Sequence, residues 1–150
     1  MTTFATNTDL KEYEAQIDEY GIQDFGTMHT KTYDDILRLL RIEWWPRVSN
    51  QAPNTRYFST ADLEMDATKL QSAQFKRAAV FHVLGYYIFP ALTQRGPEED
   101  RFSIQEQYYK ARFREEFDLV LQDGIQYDFD GDGSISDSEQ QSAHFNRLVR

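Results

Sequence analysis

The sequence predicts an all-α fold, a helical bundle around two long helices followed by a C-terminal extension. Three observations carry that expectation. Apolar residues recur at helical spacing along most of the chain. Residues that start and stop helices bracket those runs. No series of alternating apolar and polar residues marks a set of strands. At 150 residues the chain has the size of one domain and can bury a real core.

The first helix is expected from about Thr8 to Tyr20, with Leu10, Tyr13, Ile17 and Tyr20 at helical spacing and Gly21 placed to end it. A polar, glycine-bearing connection follows, Gly21 to Lys31. Thr32 then offers an N-cap with Asp35 three residues on, and Ile36, Leu37, Leu39, Leu40 and Trp44 follow before Pro46 stops the helix near Trp45. Residues 46–58 hold two prolines, two asparagines and a serine and read as a loop. Ser59 or Thr60 caps the first long helix, about Ala61 to Phe89, whose second half from Ala78 is apolar nearly all round and belongs at the centre. Pro90 ends or kinks it. The second long helix starts at Gly96-Pro97-Glu98-Glu99-Asp100, or at Ser103 with Glu106. Its apolar stripe is Phe102, Tyr109, Phe113, Phe117, Val120 and Leu121, and Asp123-Gly124 is its end. Residues 1–123 form the bundle, and 124–150 form an arm that ends in a last short helix.

Composition bounds the function. Hydrophobic residues are 40% and charged residues 27%, ordinary for a soluble globular protein. Aromatic residues reach 15%, so material for a core or an interface is ample. The absence of cysteine excludes disulfides, thiolate zinc sites and cysteine nucleophiles, and leaves the compartment open. Met1 to Asn7 has neither a basic region nor an apolar core, so no secretory signal is expected. The most apolar stretch, Ala78 to Leu92, is shorter than the roughly 20 residues a membrane span needs, so a soluble protein is expected. The net charge is −9, and residues 123–139 carry six acids and no base. An acidic chain without a basic cluster argues against tight binding to nucleic-acid phosphates.

The acidic segment contains Asp128-Phe129-Asp130-Gly131-Asp132-Gly133-Ser134-Ile135-Ser136-Asp137-Ser138-Glu139. It meets every specified position of D-x-[DN]-x-[DN]-G-x₅-E. Calcium takes six to eight oxygens, and this spacing supplies them: side chains of Asp128, Asp130 and Asp132, the Ser134 carbonyl, and both oxygens of Glu139. Gly133 permits the turn, Ser136 can hold a bridging water, and Ile135 is the expected apolar anchor. The bland alternative is a solvated acidic turn. Magnesium fits less well, because it prefers fewer protein ligands.

The loop resembles that of an EF-hand, over these twelve residues only. Gly124 and Asp123 stand at two positions before it where the family places apolar residues, as do Gln140, His144 and Arg147 after it. The chain has no second such loop. The helix-opening switch of that family is therefore not implied; a clamp that folds a self-repelling segment is.

Other chemistry is sparse. His29, His82 and His144 lie far apart, and His82 reads as a hydrogen-bonded core residue. No nucleophile elbow, phosphate loop, dinucleotide fingerprint or H-E-x-x-H occurs, and Glu115-Glu116 and Asp34-Asp35 diverge by ~100° on their helices, so an enzyme is not expected. The doublets Trp44-Trp45, Tyr86-Tyr87 and Tyr108-Tyr109 place rings on two helical faces at once and are either core or contact surface.

Two function classes remain: a structural assembly protein with a calcium-stapled C-terminal arm, and a small calcium-binding regulator that docks a partner protein. From about residue 30 onward, the order of elements resembles the head-to-tail connector, or adaptor, proteins of tailed bacteriophages. Those have a capped early helix (here Thr32 to Leu40), two long central helices and an extended C-terminal arm. The resemblance implies a virion protein without catalytic residues. It implies a homo-oligomeric ring, commonly of twelve, beneath the portal, with arms reaching neighbouring neck proteins. An acidic chain suits a DNA channel that repels the phosphates passing through it.

Overall fold

The computed structural model describes residues 2–49, 65–93 and 99–141. Helix dominates them, as the all-α expectation requires, and no described helix is long and apolar enough to cross a membrane. The chain divides into two compact units. The described residues of Met1–Asp35 and Phe75–Phe117 form one, and those of Ile36–Gln74 and Asp118–Arg150 form the other.

In the first unit, helix α1 (Asn7–Tyr13) opens at Thr6, whose backbone N–H and hydroxyl both donate to the Asp9 carboxylate at 2.8 Å. Burial raises the pKa of Asp9, but bonds from Lys76 and Thr6 outweigh it and hold the carboxyl below its ordinary value. The single helix expected from Thr8 to Tyr20 is instead α1 and a separate 3-10 turn, Ile17–Tyr20, closed by Gly21 at φ +76°. A helix this short has little stability of its own, so packing decides its extent. At the break, Glu14 accepts from the Tyr109 hydroxyl at 2.8 Å.

Helix α2 (Phe25–Glu43) begins earlier than expected. Its cap is Asp24, which accepts from the Thr27 N–H at 3.0 Å and from the Thr27 hydroxyl. Thr32, expected as the cap, is instead a buried mid-helix residue bonded to His82. Trp45 opens a short helix α3 (Trp45–Ser49), so Pro46 lies in a first turn, where its missing N–H is no loss. The remainder of the expected 46–58 loop and the cap at Ser59 or Thr60 lie outside the described residues.

The long helix expected over 61–89 differs in its described part. Residues 67–69 and 72–75 are 3-10 turns, and Leu70 between them bridges Tyr127 in antiparallel fashion. Helix α4 (Lys76–His82) follows, then a π-helical stretch Val83–Ile88, then α5 (Phe89–Thr93). Pro90 accounts for the π geometry. Its ring would clash with the carbonyl of Tyr86 in a regular α-helix. The Phe89 N–H reaches back to the Leu84 carbonyl instead, and helix continues past the proline.

Helix α6 (Glu99–Asp123) ends where the sequence places its end, with Gly124 at φ +104°. The start expected at Gly96-Pro97 lies outside the described residues. Tyr109, Phe113 and Phe117 are buried, as their spacing predicts. Tyr109 stacks on Phe89 with ring centroids 5.6 Å apart and planes 3° from parallel. Gly85 meets α6 so closely that an added Cβ would lie 2.8 Å from the Lys110 nitrogen. Below that approach, His82 is buried against Tyr86, at 4.4 Å and stacked, and Phe113, at 4.7 Å with planes 80° apart. Its Nδ1 lies 3.0 Å from the Thr32 hydroxyl, and Asp35 accepts from the Tyr87 hydroxyl beside it. His82 is thus the hydrogen-bonded core residue the sequence suggests.

In the second unit, Trp44 and Trp45 are both buried. Among the described residues they gather with Tyr127 and Phe129, with centroid separations between 4.8 and 6.5 Å. The tryptophan doublet is internal, whereas Tyr86 and Tyr108 expose 42% and 56% of their surface. The segment after Asp123, expected as an arm, is packed here as far as it is described. Its strand β1 (Ile125–Gln126) pairs antiparallel with β2 (Gln140–Gln141). The last helix expected toward Arg150 falls outside the described residues.

Candidate metal centre

The acidic loop is tied at both ends. On its entry side, the Gln71 N–H donates to the Gln126 carbonyl at 3.1 Å, and the Asp128 N–H donates to the Lys69 carbonyl at 3.0 Å. The Gln74 side chain clasps the same strand, donating to the Gly124 carbonyl at 2.7 Å and accepting from the Gln126 N–H at 3.0 Å. The Tyr127 hydroxyl accepts from the Asp66 N–H at 3.0 Å. On the exit side a 3-10 turn, Asp137–Glu139, leads straight into β2. Register pairs Ile125 with Gln141 and Gln126 with Gln140, so two short strands close the loop instead of two helices.

Inside the loop, aspartates turn back on the backbone, the local bonding that favours these residues in turns. Asp128 accepts from the Gly131 and Gly133 N–H groups, both at 2.9 Å. Asp130 accepts from Asp132 at 3.0 Å, and Asp132 from Ser134 at 2.8 Å. Gly131 and Gly133 adopt φ of +73° and +87°, the left-handed conformation that glycine takes without steric cost.

These turns bring Asp128, Asp130 and Glu139 together, with one carboxylate oxygen from each within 4.8 Å of the others. Asp130 is exposed, Asp128 half-buried and Glu139 only 1% exposed. Glu139 is held by the Asp130 N–H at 3.2 Å, the Ser136 N–H at 2.8 Å and the Ser136 hydroxyl at 3.1 Å. Asp132 lies outside this trio, bonded to the Ser134 N–H and hydroxyl, which lower its pKa. Ser134 is exposed beside it. The Asp132 N–H lowers the pKa of Asp130, but desolvation and the carboxylates of Asp128, Asp132 and Glu139 outweigh it and raise the value. Among the described residues no lysine or arginine forms an ion pair with the trio.

The chemistry of this donor set fits a hard cation. Oxygen ligands only, two of them on alternate residues and one at the loop's end, match calcium's preferences. The sequence also offered the Asp132 carboxylate and the Ser134 carbonyl as calcium ligands, and Asp132 lies outside the converging trio.

Sequence reasoning overlooked one member of the site. Phe129, the second loop residue, is buried at 5% exposure, whereas Ile135, the expected anchor, is half-buried. The available signal was an aromatic residue between two aspartates, close in sequence to Tyr127 and matched by the tryptophan doublet. No protein-family model matches the chain, and no curated protein or solved structure is significantly similar to it.

Proposed function

We propose that this chain is a structural assembly protein whose C-terminal segment is fastened by one calcium ion. The observation that carries the reading is the convergence of Asp128, Asp130 and Glu139 with no described basic partner. Three carboxylates so placed repel one another unless a cation neutralises them. Calcium bound there, with Asp132 and Ser134 completing the oxygen set, opposes that repulsion and stabilises the folded segment by mass action. A fastener suits this loop better than a switch, because its ends run into paired strands and not into helices that could open.

The assembly we propose is the neck of a tailed-bacteriophage virion, with the chain as a head-to-tail adaptor subunit in a ring beneath the portal. Support comes from the helical architecture, from the acidic charge that suits a channel DNA passes through, and from the exposed rings of Tyr86 and Tyr108 as contact material. Calorimetric titration tests the ion: binding that Asp130→Ala removes is expected, and no binding at millimolar calcium sinks the site. Electron microscopy of the purified chain mixed with a portal ring tests the assembly. Decoration of the ring is expected, and failure to associate overturns the adaptor reading. Calcium-dependent capture of a helical peptide would instead favour the regulator.

A further inference from the structure

The loop's buried residue raises the question of what its ring is for. Phe129 sits between two of the converging aspartates, and its side chain leaves the loop for the aromatic cluster. It lies parallel to Trp45, with planes 7° apart and centroids 6.5 Å apart, and contacts Tyr127 at 4.8 Å and Trp44 at 6.2 Å. Trp44 and Trp45 are the chain's two tryptophans. We propose that Phe129 is a positioning residue for the cation loop, and that the cluster it joins couples ion occupancy to Trp44 and Trp45 at the junction of α2 and α3.

Linkage joins the ring to the ion if the loop holds calcium as proposed. Opposing forces act on adjacent residues. Repulsion among the carboxylates spreads the loop, while burial of Phe129 draws the segment between Asp128 and Asp130 onto the cluster. Only the closed arrangement holds the three carboxylates at ion-binding distance. Apparent affinity therefore scales with the fraction of molecules in which Phe129 is docked. By reciprocity, an ion that favours the closed loop favours the docked ring to the same extent. Asp128 transmits the constraint through the backbone, because its N–H is bonded to Lys69 while its carboxylate belongs to the trio. Ile135 is half-buried and carries no ring, so it is the control position.

The test uses the full chain and calcium alone as the probe. Tryptophan emission and calorimetric heat are followed in the same titration, for the wild type and for Phe129→Ala, Phe129→Leu and Ile135→Ala. In the wild type the emission is expected to shift to shorter wavelength with the same midpoint as the heat. Phe129→Ala is expected to weaken calcium by roughly tenfold or more at unchanged stoichiometry, as large-to-small changes at buried sites do to the state they support. Phe129→Leu restores most of that affinity, and Ile135→Ala loses less. Wild-type calcium binding with unchanged tryptophan emission overturns the coupling and leaves the calcium site standing. Equal affinity in the wild type and a folded Phe129→Ala overturns the positioning role alone. Absence of any calcium heat in the wild type overturns both this inference and the reading it rests on. The wild-type emission titration needs no variant, so a Phe129→Ala chain that does not fold leaves the proposal testable.

Discussion

The Thr32 hydroxyl and His82 Nδ1 meet at 3.0 Å inside the first unit, fifty residues apart in sequence and both buried. Burial holds the imidazole pKa down to about 4, against the opposing pull of Asp35, whose carboxylate lies 3.8 Å from Nε2. The unfolded imidazole takes its proton near 6.5. Between those values the unfolded state binds more protons, so stability falls as pH is lowered through that window and is fully present above it. The loss expected by pH 4 is roughly 3 kcal/mol. Urea unfolding between pH 4 and 7 measures it. His82→Gln should be less stable at pH 7 and show a flatter pH dependence, and an unchanged slope would refute the assignment.

Removing calcium should act on the second unit. With the ion at a hundredfold excess over its Kd, the folded form gains about 2.7 kcal/mol. Thermal unfolding with calcium and with a chelator should differ by roughly 5–10 °C for a chain of this size. Asp130→Ala should abolish the difference, and a difference that survives this substitution would place the ion elsewhere.

Gly85→Ala should destabilise the chain although it improves helix propensity by about 1 kcal/mol. The added methyl would meet the Lys110 nitrogen at 2.8 Å and the Tyr109 carbonyl carbon at 3.0 Å, and both are helix backbone that cannot step aside. Overpacking of this kind costs about 1–3 kcal/mol, so the net effect expected is a loss. A lower urea midpoint is the readout, and a higher one would mean that α6 can move away.

Two glycines of the loop region should respond differently to alanine. Gly124 combines φ +104° with a Cβ that would lie 2.9 Å from Gln140 Cγ, so strain and clash add at the point where the strands close the loop. A cost of about 2–5 kcal/mol and weaker calcium binding are expected of Gly124→Ala. Gly131 has φ +73° and open space around it, so Gly131→Ala should cost only the left-handed penalty, about 1–2 kcal/mol. Equal losses in the two variants would show that the Gln140 approach is unimportant.

Local chemistry was legible in the sequence. The spacing of Asp128, Asp130, Asp132 and Glu139 marked the acidic loop, of which Asp128, Asp130 and Glu139 converge; the period of Tyr109, Phe113 and Phe117 marked the buried face of α6, and Gly124 marked the end of that helix. Each of these depends on residues a few positions apart, so backbone geometry alone relates them. The elements that differed from expectation depend on distant partners. Leu70 pairs with Tyr127, and 3-10 turns over 67–69 and 72–75 stand where helical periodicity suggested continuous helix. Thr32 is drawn inward by His82, which leaves Asp24 to cap α2. Trp44 and Trp45 could have been core or contact surface, and the rings of Tyr127 and Phe129 decided for core. By itself, then, the sequence determined the helical class and the acidic loop from which three carboxylates converge. Tertiary structure decided that strands and an aromatic cluster hold them, because burial of Phe129 and pairing of Tyr127 require chain that lies more than fifty residues away.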